Sequence, residues 1–267
     1  MVEIFTPDDF QFIQSLVKKA GKVALNIQQS DLAITRKGDS TIVTRADFEV
    51  QELLISELSV RFPHAVFIHE ENFDRSKRLL NDDTLAFIID PIDGTAMYSM
   101  HLPIWCISIG IFTGFNPLYG FVYSPGSDMF FRNDNDHAYL NDIPVTVDQD
   151  ILLEKETNIF YASEIPGIFN IDFPGKIRNL GSTALHACLT VDNRRNRVLA
   201  FIGEAYLWDW AGAIPIILKA GGLVRYLSGR KPDYREIIEN NYQLKEYLIS
   251  TSSKDFPSIQ NIFSHIR

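Results

Sequence analysis

Leu85-Ala86-Phe87-Ile88-Ile89-Asp90-Pro91-Ile92-Asp93-Gly94-Thr95 is the stretch whose reading decides both the fold and the chemistry of this 267-residue chain. Its first five residues form an unbroken apolar run, which reads as a strand covered on both faces. A strand end projects its last residues at the sheet edge, Pro91 forces a bend there, and Asp93 returns toward Asp90. Two carboxylates on one tight turn make a hard-oxygen site suited to Mg²⁺, with the Ile92 carbonyl as a further oxygen. Gly94 and Thr95 then open a short helix whose free N–H groups suit a phosphate. The same residues also read as an ordinary Asp-Pro turn followed by a helix cap. The rest of the chain has to decide between the two.

Before this stretch, Thr6-Pro7-Asp8-Asp9 predicts a helix start, and Phe10, Ile13, Leu16, Val17, Ala20, Val23 and Ala24 recur at helical spacing behind it. A second helix is expected from Thr44, carrying Val50, Leu53, Leu54 and Leu58 and stopping at Phe62-Pro63. Residues 65–68 read as a strand ending at His69-Glu70-Glu71, and 104–112 as a central strand. Antiparallel strands are expected at 118–123, 129–132 and 144–147. Beyond Asp148 the texture becomes alternating: strands at 157–161, 176–180, 198–202, 223–227 and 247–251, helices at 182–191, 209–220 and 255–265. A boundary near residue 145 thus separates an α+β half, 1–145, from an α/β half, 146–267, and the cleft between them is the expected ligand position.

Apolar residues make up 46% of the chain, charged residues 22%, and the net charge is −9. This is an ordinary globular composition, and its acidity argues against bulk nucleic-acid binding. No stretch approaches 18 uncharged apolar residues, so no membrane span is expected. The first residues lack the pattern of a signal peptide. Cys106 and Cys188 lie in apolar segments and read as buried free thiols, which suits a cytoplasmic protein.

Three further acidic positions flank the central motif. Glu70 stands at a second strand end, where it could complete an oxygen cage with Asp90, while Glu71 reads as a solvated loop residue. Asp209, in Trp208-Asp209-Trp210-Ala211-Gly212, is either a helix cap or a ligand contributed by the second half across the cleft. Asp47, in Thr44-Arg45-Ala46-Asp47, fits a capping box. The histidines show no metal-ligand spacing; His69, His101 and His186 read as hydrogen-bonded structural residues. Trp208 and Trp210 read as packing residues that shield the site.

Taken together, Asp90 through Thr95, Glu70-Glu71, Thr44 through Asp47, and Trp208 through Gly212 with Ala220-Gly221-Gly222 resemble the inositol monophosphatase family, the lithium-sensitive, Mg²⁺-dependent sugar phosphatases. The resemblance runs from about residue 10 to the C-terminus. It implies a layered αβαβα sandwich of the sugar-phosphatase type, with most metal ligands in 1–145 and with Asp209 and the substrate-specificity surface in 146–267. It implies that Glu70, Asp90 and the Ile92 carbonyl hold one Mg²⁺, that Asp90, Asp93 and Asp209 hold a second, and that a third, weaker ion lies near Glu70. Asp47, Glu70 and Thr95 would be catalytic, Thr95 and Asp47 orienting and helping to deprotonate the attacking water. Gly94 and Thr95 would bind the phosphate, and Gly181, Ser182 and Thr183 would face the substrate. The implied partner is a small phosphorylated metabolite, and the implied assembly a homodimer. Lys37 lies in a loop that reaches the site in the family.

The pattern departs from the family at several points. Ala96-Met97-Tyr98 replaces a polar residue, Asn and an aromatic. Ile202 stands seven residues before Asp209, where inositol-phosphate enzymes carry an acid. Asp192-Asn193-Arg194-Arg195-Asn196-Arg197 replaces a small glycine-containing turn; it reads first as a solvated loop, and its arginines could alternatively attract a second phosphate. Alternative readings are therefore a 3′(2′),5′-bisphosphate nucleotidase or fructose-bisphosphatase on the same scaffold, or a regulatory member acting through macromolecular contacts.

Overall fold

The two N-terminal helices begin where their capping boxes put them. The computed structural model describes residues 5–30, 32–36, 38, 41–71 and 80–266; Lys37 lies outside them. In α1 (Pro7–Gln28), Asp9 Oδ2 accepts from the Thr6 amide at 2.8 Å and the Thr6 hydroxyl caps the Asp9 amide. A short hairpin of β1 (Thr35–Arg36) and β2 (Ile42–Val43) leads to α2 (Arg45–Arg61), where Thr44 and Asp47 repeat the device. Both boxes satisfy amides that the first helical turn leaves without intrahelical partners.

A seven-stranded sheet follows in sequence order: β3 (Val66–His69), β4 (Leu85–Asp93), β5 (Cys106–Thr113), β6 (Asn116–Ser124), β7 (Met129–Asn133), β8 (Ala138–Leu140) and β9 (Ile143–Val145). Only the β3–β4 pairing is parallel. Helix α3 (Thr95–Ser99) leaves the end of β4. The second half builds a mixed five-stranded sheet in the order β12-β10-β13-β15-β14 from β10 (Asn158–Tyr161), β12 (Lys176–Arg178), β13 (Val198–Gly203), β14 (Leu223–Tyr226) and β15 (Leu248–Thr251), while β11 (Phe169–Ile171) pairs with β16 (Phe263–His265). Its helices are α4 (Thr183–Leu189), α5 (Asn193–Asn196), α6 (Leu207–Ala211), α7 (Ala213–Lys219), α8 (Tyr234–Glu239) and α9 (Phe256–Gln260).

Strand periodicity sorts side chains into layers. In β4, Phe87 and Ile89 face the core under α1 and α2, while Ala86 and Ile88 face the helices α4, α6 and α7. In β13, Phe201 faces those same helices and Ile202 faces the outer core against Ile159, Ile249 and Ile259. The result is helix, sheet, helix, sheet, outer cover: the expected αβαβα layering. Each fully buried side chain of this kind contributes about 1.5–3 kcal/mol relative to exposure.

Glycine decides how closely the middle helices sit on the first sheet. Gly110 and Gly120 are register partners in β5 and β6. A Cβ on Gly110 would collide with the Ala211 backbone, and one on Gly120 with the Gly212 carbonyl. The α6–α7 junction therefore rests directly on the strands.

Local differences from the sequence reading have identifiable causes. The expected 209–220 helix starts earlier, at Leu207, and breaks at Gly212, the contact point with the sheet. The expected 255–265 helix stops at Gln260, because Phe263 is used to cover the outer core and to pair with β11. Strand β4 continues to Asp93 through a register shift between Asp90 and Asp93, where Pro91 interrupts no regular ladder. Glu71 is buried at 3% exposure, because Gln51 bonds both its amide and its carbonyl.

Candidate active site

Parallel pairing of β3 and β4 puts their C-terminal ends on one edge. His69 is in register with Ile89, and the Glu70 amide donates to the Ile89 carbonyl at 3.2 Å. Glu70 thereby arrives beside Asp90. The register shift in β4 turns Asp93 back, and Asp90 Oδ1 accepts from the Ile92 amide at 3.1 Å. Helix α6, seated on the paired glycines, delivers Asp209 from the second half. One oxygen each from Asp90, Asp93 and Asp209 lie within 4.8 Å of one another. Glu70 is not part of that tight group, although its charge acts on Asp47, Asp90 and Asp209.

The three carboxylates are held very differently. Asp93 is saturated by the start of α4: the Ser182 hydroxyl donates to Oδ2 in a short bond, the Ala184 amide donates to Oδ2 at 2.7 Å and the Thr183 amide to Oδ1 at 3.0 Å. The Cys106 thiol adds a weak bond at 3.4 Å. Asp209 accepts from the Tyr206 amide at 2.8 Å. Asp90 Oδ2, by contrast, is buried with no partner among the described residues. Among the described residues, no lysine, arginine or histidine forms an ion pair with any of the three.

Electrostatics follow from that arrangement. Burial pushes the Asp90 carboxyl well above the ordinary range, and the charges of Glu70, Asp93, Asp209 and Asp47 push it further. Burial also raises Asp209, with Glu70 and Asp93 adding to it. Asp93 is raised by burial but held back by its Ser182, Thr183 and Ala184 donors. Clustered acids without a counter-cation are costly in a low-dielectric interior. The orphaned Asp90 oxygen and the all-oxygen donor set fit a hard divalent cation.

A second constellation adjoins the first. Asp47 is fully buried; its Oδ2 accepts from the Thr44 amide at 2.7 Å and the Thr44 hydroxyl at 2.6 Å. Its Oδ1 faces the Thr95 hydroxyl at 3.1 Å, and that hydroxyl also reaches the Ile92 carbonyl at 2.9 Å. Burial, with the charge of Glu70, lifts the Asp47 carboxyl to about 6 despite the Thr44 and Thr95 bonds.

Gly94 caps α3 at φ +96°, a conformation that favours glycine. A Cβ there would come within 2.9 Å of the Gly181 carbonyl, so the Asp93-Gly94 and Gly181-Ser182 turns meet closely. Met97, standing where the family has Asn, packs on Gly181.

Other sequence expectations resolve differently. Ile202 is fully buried in the outer core and faces away from the acidic cluster. Arg194 and Arg195 are exposed and lie near Asp148 and Asp192, at 4.0 Å and 3.8 Å. Arg194 and Arg197 line a 290 Å³ groove with Asp148, Asp150 and Glu154, beyond the end of α4 that is remote from Asp93. The grip of Ser182, Thr183 and Ala184 on Asp93 was missed in the sequence. A serine cap opening a helix is a visible anion-binding signal, but its partner stands 89 residues earlier.

With the geometry in place, comparisons with known proteins agree in one direction. The model described as the inositol monophosphatase family matches residues 8–255. Inositol monophosphatase 1 of Solanum lycopersicum is 30% identical over 248 residues, covering 87% of this chain and 90% of the relative. An IMPase structure from Thermotoga maritima has a TM-score of 0.80 at 23% identity, over 96% of each chain. An IMPase/NADP phosphatase solved with Mg²⁺ and phosphate has a TM-score of 0.80 at 18% identity, over 96% of this chain and 94% of that one.

Proposed function

The chain belongs to the inositol monophosphatase family, whose members are phosphoric monoester hydrolases, and from that premise we propose that it is a Mg²⁺-dependent phosphatase of a small phosphorylated metabolite, inositol phosphate first. The observation that carries this reading is the Asp90–Asp93–Asp209 cluster, its first two members buried, with no protein cation paired to it among the described residues and with Asp90 Oδ2 unpartnered there. Glu70, Asp90 and the Ile92 carbonyl would hold one ion, Asp90, Asp93 and Asp209 a second, with a third, weaker position near Glu70. When bound, Mg²⁺ supplies positive charge to the phosphoryl and leaving oxygens and acidifies water.

The chain's own residues do the remainder. The Thr95 hydroxyl takes a proton from the attacking water while passing its own to Asp47 Oδ1; the hydroxyl is regenerated and the carboxylate ends protonated. Thr44 fixes Asp47 for that role with two donors on the other oxygen. The Gly94 and Thr95 amides would hold phosphate oxygens. Gly181, Ser182 and Thr183, packed against that turn, would border the substrate. The two halves, 1–145 and 146–267, are read as domains, a division supported by each large sheet being completed within one of them. Lithium sensitivity, a homodimer and a cytoplasmic setting belong to the same reading, the last supported by two buried free thiols.

A bisphosphate substrate loses its main support, since the Arg194 and Arg195 side chains face solvent and acidic neighbours. Phosphate release from myo-inositol 1-phosphate, with and without Mg²⁺, beside adenosine 3′,5′-bisphosphate and fructose 1,6-bisphosphate, tests the proposal. Mg²⁺-dependent release from the monoester is expected; activity undiminished in chelator would overturn the metal reading. Preference for a bisphosphate would overturn the substrate assignment.

A further inference from the structure

The turn that grips Asp93 is itself held from behind. His186 stands one helical turn into α4, and its Nε2 accepts from the Leu180 amide at 2.6 Å. The Ser182 backbone is a second hydrogen-bonding neighbour of the ring. An accepting nitrogen requires neutral imidazole, and burial at 2% exposure pushes the group down to about 3, which keeps it neutral. Leu180, Gly181 and Ser182 are thus tied back onto the helix that follows them.

The ring has a second contact. It stacks on Phe201 with centroids 5.0 Å apart and planes at 19°, and Phe201 stacks on Trp210 at 5.1 Å and 27°. Trp210 follows Asp209 on α6. One continuous aromatic stack therefore joins the turn that clamps Asp93 to the helix that carries Asp209.

We infer that His186 is a positioning residue for the cation site, fixing the Leu180–Ser182 turn and, through Phe201 and Trp210, the spacing between Asp93 and Asp209. The inference rests on reading the acidic cluster as that site. Cation ligands separated by more than a hundred residues need a rigid spacer, because a small ion tolerates little error in ligand position. The stack supplies such a spacer inside the helix layer. The hydrogen bond to Leu180 sets where the Asp93 clamp begins.

The test compares the full-length wild type with His186→Phe, His186→Gln, Ser182→Ala and the His186→Phe/Ser182→Ala double variant. Mg²⁺ affinity is measured by titration calorimetry, and folding is followed by circular dichroism in chelator. The Phe variant keeps a ring and loses the acceptor; it should bind Mg²⁺ about tenfold more weakly. The Gln variant restores an acceptor and should recover most of that loss. In the Ser182→Ala background the Phe substitution should cost less, because both act through Asp93. Wild-type affinity in the Phe variant, or full additivity in the double variant, would overturn the inference. Should the Phe variant not fold, Phe201→Leu takes its place: weaker Mg²⁺ binding is expected, and unchanged binding overturns the inference. A wild type that binds no Mg²⁺ sinks the cation reading together with this one, whereas wild-type binding with unaffected variants sinks this one alone.

Discussion

The Thr95 hydroxyl donates to Asp47 Oδ1 across 3.1 Å, joining the first turn of α3 to the first turn of α2 over 48 residues of sequence. The capping box that starts α2 thus also presents one free carboxylate oxygen to the strand end that carries Asp90 and Asp93. A helix cap and a proton acceptor are the same residue, each oxygen having its own task.

Loss of either partner should therefore act on turnover more than on binding. Asp47→Asn and Thr95→Ala are each expected to lower kcat about 10²–10⁴-fold with KM changed far less, the range for removing acid–base assistance. Steady-state kinetics on a small phosphomonoester provides the check. A kcat within a few-fold of wild type would exclude the relay.

Proton acceptance by Asp47 requires its carboxylate, so activity should fall on the acid side. Burial, with the charge of Glu70, moves the group from 3.8 to about 6, and a bound cation pulls it down again. The acid limb of kcat should lie between those values and disappear from the residual activity of Asp47→Asn. A limb unchanged in that variant would assign it to another group.

The acid cluster should stabilise the cation-free protein increasingly as pH falls from neutral toward 4, a gain opposed by His186 and His69, whose lowered folded-state values favour the protonated unfolded chain over the same range. Asp47, Asp90, Asp93 and Asp209 all titrate above 3.8 when folded. Between that value and their raised values these groups hold more protons in the folded state than in the unfolded one, so the stability they contribute drops as pH rises. The Asp47 share alone is on the order of 2 kcal/mol. Thermal melts in chelator across this range, repeated with Mg²⁺ near neutrality, measure both the drop and its reversal by Mg²⁺.

Asp90→Asn should separate stability from function. It removes one charge from a repelling cluster and gives the unpartnered oxygen position a donor amid acceptors. The variant is expected to melt higher in chelator, by about 2–4 °C for each kcal/mol relieved, and to lose turnover. A lower melting temperature with retained activity would show that the carboxylates are not strained together.

Gly120→Ala tests how Asp209 is delivered. The added methyl would collide with the Gly212 carbonyl, lifting α6 and α7 from the sheet at a cost of about 1–3 kcal/mol. Mg²⁺ affinity should fall with the denaturation midpoint. Affinity held at the wild-type value would mean that Asp209 tolerates displacement of its helix.

Much of this arrangement was legible in local sequence. The cap and proline at Thr6-Pro7 and the box Thr44–Asp47 marked where the first two helices start, because capping is a contact between positions a few residues apart. The 209–220 helix was drawn without its break at Gly212, where the backbone stays in the right-handed helical region but Pro215, three residues on, has no amide to donate back to Ala211. The 255–265 helix was overdrawn because a distant edge strand, β11, claims Phe263 to His265. Glu71 was read as solvated, and Gln51 buries it. The arginines after Asp192 read as a solvated loop with a second phosphate as the alternative, and their exposed placement beside Asp148 and Asp192 favours the solvated reading.

By itself the sequence determined the acidic turn at Asp90–Asp93, the strand before it and the helix after it, since these follow from adjacent residues and their steric preferences. It also determined the family resemblance, through motifs in order. Tertiary structure alone decided that Asp209 meets Asp90 and Asp93, that the start of α4 spends its amides on Asp93, and that Asp90 Oδ2 is left without a partner among the described residues. Those outcomes depend on the close approach of backbones at Gly110, Gly120 and Gly94. Which donor reaches which carboxylate is settled by distances of a few tenths of an ångström, which no local pattern of residues encodes.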